Sequence, residues 1–439
     1  MRPIHLHLSL LLTLLLFYPA SAQVEVGADQ IEQILTYTAG KRVALTVNHT
    51  SILSNPQHTH LVDTLLAKGV QVTKLFTPEH GLRGTADAGA TIQSGKDSAT
   101  GLPVISLYGQ KKKPTPSDLK GIDLMIFDLQ DVGVRFYTYI STLTYLMEAC
   151  AEEQIPLLVL DRPNPHDTID GPVRKLTKYR SFVSLLPIPA VHGLTLGEAA
   201  QMINGEGWLK NKVQVQLTVL PVRGWQHGQA YSLPLPPSPN LRSDKAIHCY
   251  PTICYFEASS WSEGRGTSHP FEQIGYPNRH LGNHTFTPQP TKGATKPKHS
   301  GKRCYGPTLQ PQEWPKGIYL PLIIEAYQIS QTHGIRFFAR PKLFDLLAGN
   351  GELRLQIQRG LTADQIRQSW QSDLTSYKQL RAHYLLYPDY TEQGSPQIID
   401  PCGRTIPSRR IECNRKGRRL WSTSLPAGHR HCVPRPGAI

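Results

Sequence analysis

A carboxyl group fixed on a rigid turn can give its proton to a leaving oxygen, and the segment Thr77-Pro78-Glu79-His80-Gly81 offers one. Proline stiffens the approach to Glu79 and glycine frees the exit, and partial burial on such a turn helps a carboxyl keep its proton. Two more acids stand close together in Asp128-Leu129-Gln130-Asp131, and another opens Asp161-Arg162-Pro163-Asn164. A proton donor with a second group that activates water, attacks carbon or orients the substrate is the equipment for cleaving a glycosidic bond. Glu79 is assigned the acid, against the plainer reading of a helix cap or a partner for Arg83. Asp128 and Asp131 are candidates for the second part, as base, nucleophile or orienter of a substrate acetamido group. Retention or inversion depends on the carboxyl separation and stays open.

These residues share a position in the pattern: each group follows an apolar run. Runs at 43–47, 70–76, 104–107, 124–127, 157–160, 182–188 and 215–220 are near-continuous, as buried parallel strands should be. Helical patterns at 58–68, 138–154 and 195–204 fall between them. The alternation predicts an α/β fold, a Rossmann-like, doubly wound, mainly parallel sheet. Four of the polar endings are Asn48-His49-Thr50, the Glu79 turn, the Asp128 segment and the Asp161 segment. In such sheets ligands bind beyond the carboxyl ends of the strands, so these loops are expected to converge on one cleft.

The proline-rich stretch 232–240 cannot continue a strand or helix and marks the junction between a catalytic domain over 23–240 and a smaller α+β domain over 241–390. Helical patterns in that second part lie at 320–332 and 362–386, and 285–302 reads as a loop.

Other chemistries lose ground. There is no GxGxxG after the first strand, no GxxxxGK[ST] and no GxSxG, so neither a nucleotide cofactor nor a serine nucleophile is expected. The seven cysteines contain no CxxC pair and no zinc-like spacing with histidine. Cys249 and Cys254 read as idle thiols rather than a bridge, and neither metal nor cofactor is assigned. Of the net charge of +14, residues 391–439 hold nine basic side chains against three acids. The remaining bias suits an anionic saccharide better than nucleic acid, which calls for basic and aromatic residues interleaved on one element.

The N-terminus reads as a signal peptide, with Arg2, an apolar run over 8–17 and Ala20-Ser21-Ala22 before a mature start at Gln23. That run falls short of the ~20 residues that cross a bilayer, so the expected location is periplasmic or extracellular without stable membrane insertion.

The same segments resemble the exo-β-N-acetylmuramidases, a bacterial family formerly catalogued as a domain of unknown function. The resemblance rests on Asn48-His49-Thr50-Ser51, the Glu79 turn and the block from Phe127-Asp128 through Arg135-Phe136-Tyr137-Thr138-Tyr139. Asp161-Arg162-Pro163-Asn164-Pro165, His192-Gly193, Pro237-Ser238-Pro239-Asn240-Leu241 and Glu263-Gly264-Arg265-Gly266-Thr267 extend it to residue 388. It implies a Rossmann-like domain, a smaller second domain and a cleft between them. It also implies hydrolytic release of N-acetylmuramic acid from the non-reducing ends of peptidoglycan fragments, with Glu79 as the acid. Arg83, Arg135, Arg162 and Arg265 are candidates for the lactyl carboxylate, which a guanidinium binds in two-pronged fashion. His49, His80 and His192 are candidates for sugar hydroxyls, Asn240 for the acetamido group, and Asn48, Tyr137, Asp161 and Asn164 for other cleft contacts.

Beyond residue 390 the resemblance stops. The arginine-, cysteine- and proline-rich remainder has no apolar periodicity, is expected to be disordered, and reads as the product of a shifted reading frame rather than a wall-binding extension. Rival functions are a non-catalytic muropeptide-binding protein and a hydrolase of the lactyl ether or the peptide amide. Oligomeric state is not legible.

Overall fold

The computed structural model describes residues 24–82 and 94–390, and beyond them the backbone of one antiparallel strand pair, Ile398–Ile399 with Thr405–Ile406. The segment expected to be a signal peptide, Arg83, Cys402, Cys413, Cys432 and nearly all of the tail lie outside the described residues. The strands of the main unit that form its central sheet are β1 (Val43–Val47), β2 (Val72–Thr77), β3 (Gly95–Lys96), β4 (Pro103–Ser106), β5 (Leu124–Asp128) and β6 (Leu157–Leu160), followed after the small antiparallel pair β7 (Ile169–Asp170) and β8 (Val191–His192) by β9 (Leu217–Leu220). Their order across the sheet is β3-β4-β2-β1-β5-β6-β9, parallel throughout except for the edge strand β3. Setting β3 aside, this is the doubly wound order, with the direction of winding reversing between β1 and β5.

Alternating residues of each strand feed two cores. Val43, Leu45, Val47, Leu124, Ile126, Leu158 and Leu160 pack with residues of α1 (Ile31–Thr38) and α2 (Leu61–Ala67) on one face. Ala44, Met125, Phe127, Leu157 and Val159 face the opposite way. They meet α4 (Tyr139–Glu152) and α5 (Leu196–Gly205), the short α3 (Pro116–Leu119) contributing Leu119 at the margin. α5 begins where the sequence provides a reciprocal cap: Thr195 Oγ1 accepts from the Glu198 N–H, and Glu198 accepts from the Thr195 N–H at 2.9 Å.

The smaller C-terminal region is mostly helical: α6 (Asp244–Ile253), α7 (Leu320–Thr332), α8 (Pro341–Ala348), α9 (Glu352–Gln358) and α10 (Ala363–Arg381), with one antiparallel pair, β10 (His284–Phe286) and β11 (Cys304–Gly306). Its apolar residues join the second core, and the chain up to Asp389 forms a single compact unit. Cys150, Cys249, Cys254 and Cys304 are buried free thiols. Among the described residues no helix is long and apolar enough to cross a membrane.

One expected strand does not form. Segment 182–188 is apolar because Leu185, Leu186 and Ile188 are core residues, but its backbone pairs with no strand of the sheet. Its carbonyls are taken by side chains instead: Arg174 donates to Leu185 and Leu186, and Arg135 to Ile188.

The carboxyl edge is held by a buried ion pair. Arg162, at the end of β6, bonds both oxygens of Asp128, at the end of β5, at 2.5 and 2.9 Å, and also the Ile52 carbonyl at 2.9 Å. Arg162→Met strands a buried carboxylate and is expected to cost about 3–5 kcal/mol in denaturant unfolding, most of it recovered by adding Asp128→Leu.

A second network fastens the chain where it returns from α10. Tyr387 donates to Asp161 at 2.5 Å, the Leu386 N–H to Glu198 at 3.0 Å, and the His227 N–H to the Pro388 carbonyl at 3.1 Å. The His227 ring lies between Asp167 (2.8 Å) and Glu198 (2.9 Å). Burial alone lowers its pKa, but the two carboxylates outweigh that and hold it at about 9. The stabilisation is therefore complete below the usual pKa near 6.5 and is lost as pH rises through about 9. A Tm series from pH 6 to 10 should show this decline in the wild type and lack it in His227→Gln.

Candidate active site

Glu79 sits in a tight turn closed by the Gly81 N–H on the Pro78 carbonyl at 3.1 Å. His80 has φ of 71°, the left-handed conformation wanted at the third position of a type II turn. This turn leaves β2 and presents the half-buried Glu79 to a cleft of about 390 Å³, within the range of small-ligand sites. Thr138, at the start of α4, donates to Glu79 Oε2 at 3.2 Å.

The facing wall is the segment that leaves β5. Gly133 bends it at φ of 77°, where a Cβ would stand 2.1 Å from Asn164 Oδ1, so no other residue fits without displacing that side chain. The chain then delivers Phe136, Tyr137, Thr138 and Tyr139 to the cleft. Tyr137 and Tyr139 meet edge to face at 4.7 Å, and Tyr137 meets Tyr250 of α6 at 6.0 Å. Both hydroxyls are pushed upward in pKa by burial, so they serve as neutral hydrogen-bonding groups. Tyr137 donates to the Pro237 carbonyl at 2.8 Å, while Tyr139 accepts from Asn48 Nδ2 at 2.8 Å.

Of the residues singled out from sequence, Glu79, His80, Tyr137 and Arg265 line this cleft. The others that are described do not. Asp128 and Arg162 neutralise each other beneath it. Asp131 is buried, accepts from the Gly133 N–H at 2.8 Å, leaves Oδ1 without a partner, and is pushed up to about 7 by desolvation. His192 lies 3.8 Å from Asp131 with its pKa brought down to about 3 by burial. A neutral imidazole and a largely protonated carboxyl are the states these burials favour below neutral pH.

Arg135 is fully enclosed, bonding the carbonyls of Pro172, Ile188 and Leu347. Asp161 accepts from Thr195, Gly197 and Tyr387. Asn164 ties Leu194 to His166, Asn48 fixes the turn through Thr50, and His49 donates to the Pro236 carbonyl at 2.7 Å. Asn240 donates to Gly293 and keeps Oδ1 buried without a partner. These side chains organise the loops around the cleft.

The structure also brings to the cleft residues that the sequence did not single out. Glu257 lines it and pairs with Arg265 at 2.7 Å, while the buried Glu263 stands behind, 3.3 Å from the same guanidinium, which lies over the Phe271 ring. These two acids raise the Arg265 pKa further despite its burial. Lys112, Phe182 and Arg340 complete the cleft's outer wall. Only the block preceding Tyr139 carried a signal that could have found Thr138; one lysine of a basic run, or a single phenylalanine or arginine in a loop, carries none.

Comparison with known proteins gives this arrangement a lineage. Residues 43–245 match the sequence model described as exo-beta-N-acetylmuramidase NamZ, N-terminal, and residues 248–387 match its C-terminal counterpart. The peptidoglycan beta-N-acetylmuramidase NamZ of Bacillus subtilis strain 168 is 38% identical over 388 residues, covering 83% of this chain and 92% of that one. A DUF1343 family protein from Bacteroides fragilis superposes with a TM-score of 0.76 at 42% identity, covering 84% of this chain and all of that one. A second from the same organism gives 0.70 at 30% identity, over 83% and 99% of the two chains. With both halves matched and the sheet shared, the chain belongs to the exo-β-N-acetylmuramidase NamZ family.

Proposed function

We propose that this chain is an exported glycoside hydrolase that releases N-acetylmuramic acid from the non-reducing ends of peptidoglycan fragments, with Glu79 as its general acid. The observation that carries the reading is the placement of Glu79: a half-buried carboxyl on a rigid turn, bonded by Thr138 and facing a ligand-sized cleft. Export rests on the N-terminal pattern of Arg2, an apolar run and Ala20-Ser21-Ala22.

In this reading the glycosidic oxygen lies against Glu79, which transfers its proton as the bond to the anomeric carbon breaks. Water completes the hydrolysis at that carbon and surrenders a proton, restoring the acid. Tyr137, Tyr139 and Phe136 offer apolar ring surface to the sugar, and Thr138 fixes the carboxyl so that little reorganisation accompanies proton transfer. Asp128 supports the site through Arg162 rather than touching the sugar.

Purified protein incubated with a disaccharide bearing N-acetylmuramic acid at its non-reducing end should yield the free monosaccharide. Lactate or peptide release would point to the ether or amide bond, and tight binding without turnover to a carrier. Glu79→Gln should lower release about 10²–10⁴-fold while leaving Tm unchanged; full turnover in that variant would remove Glu79 from the acid's role.

A further inference from the structure

The run Lys111-Lys112-Lys113 reads as a solvated basic patch, yet its three members are treated differently by the fold. Lys111 is neutralised by Asp118 at 2.9 Å. Lys113 lies between Glu148 at 2.6 Å and Glu152 at 2.7 Å. Lys112 lines the cleft that holds Glu79, and no carboxylate among the described residues pairs with it. Its ammonium stands 4.7 Å from the centre of the Phe182 ring, which is itself backed by Tyr145 at 6.2 Å and flanked by Tyr108 at 5.9 Å.

We infer that Lys112, poised over Phe182, reads the lactyl carboxylate of the terminal sugar. The inference rests on the muramidase reading above and specifies which side chain gives that cleft its preference for an acidic sugar. Three observations favour Lys112 over the arginines among the described residues. Arg135 and Arg162 spend their donors inside the fold, and Arg265 already faces Glu257 and Glu263. Arg340 also lines the cleft without an acidic partner among the described residues, but it is exposed, where a charge pair is screened and weak. Lys112 is half-buried, so its charge is only partly screened, and the ring beneath it supplies an apolar surface for the lactyl methyl group.

The test compares N-acetylmuramic acid glycosides carrying the free lactyl acid with the same glycosides carrying its methyl ester. In the wild type the acid should have the higher kcat/KM, and its KM should rise with ionic strength. Lys112→Met should reduce the acid-to-ester preference about tenfold, chiefly through KM, and flatten the salt dependence. Lys112→Arg should keep the preference. An unchanged preference in Lys112→Met, or its loss in Arg340→Gln instead, overturns the assignment. If the wild type turns over neither glycoside, the hydrolase reading fails and the inference is judged by calorimetry with free N-acetylmuramic acid and its methyl ester. There the same tenfold change in relative affinity supports it and equal affinities in wild type and variant overturn it.

Discussion

Burying a loop is costly because each carbonyl removed from water needs a donor, and the architecture around this cleft depends on arginines that supply them. Arg135, Arg162, Arg174 and Arg381 are all buried, and each bonds backbone carbonyls of segments that lack regular structure. A buried guanidinium is itself expensive, and these arginines offset that cost by using most of their donors, Arg135 Nε being the one that has no partner among the described residues. Arg162 and Arg381 add carboxylate partners, Asp128 and Asp389. Among the described residues Arg135 has no carboxylate partner and works through carbonyls, Gly349 at φ of 74° leaving room for it where a Cβ would approach to 2.5 Å. Its pKa is lowered to about 10 by burial, yet it remains charged at neutral pH.

This also explains which parts were legible in the sequence. Continuous apolar runs announced the sheet because strands buried on both faces need no polar alternation, while of the four polar endings read from the sequence the Glu79 turn lines the cleft. Segment 182–188 has the same composition as those strands but different partners, since arginine side chains satisfy its carbonyls. Composition reports burial; it does not report what a carbonyl bonds. The same limit governs the site. Glu79 stands on the turn that leaves β2 and Tyr137 just before α4, and both line the cleft. Arg135 and Arg162 belong to equally suggestive motifs, but their direction is decided by Leu347 and Ile52, far away in sequence. Lys112 is the converse case: its environment depends on Asp118, Glu148 and Glu152 claiming its neighbours, and no spacing rule encodes that.

The proline-rich stretch does more than connect β9 to α6. Its carbonyls at Pro236 and Pro237 have no strand or helix partner, and they are met by His49 and Tyr137, side chains that follow β1 and β5. Those two strands are the pair between which the winding of the sheet reverses. The connector that leads toward α6 is thus bonded to the walls of the cleft, and α6 returns Tyr250 to Tyr137. Any shift of the C-terminal region that moves Pro237 must pull on Tyr137, whose ring packs on Tyr139, whose hydroxyl is tied to Asn48. Because burial keeps these hydroxyls neutral, the contacts from Pro237 through Tyr137 and Tyr139 to Asn48 are hydrogen bonds and ring packing between uncharged groups, so their geometry does not depend on the ionisation of either tyrosine.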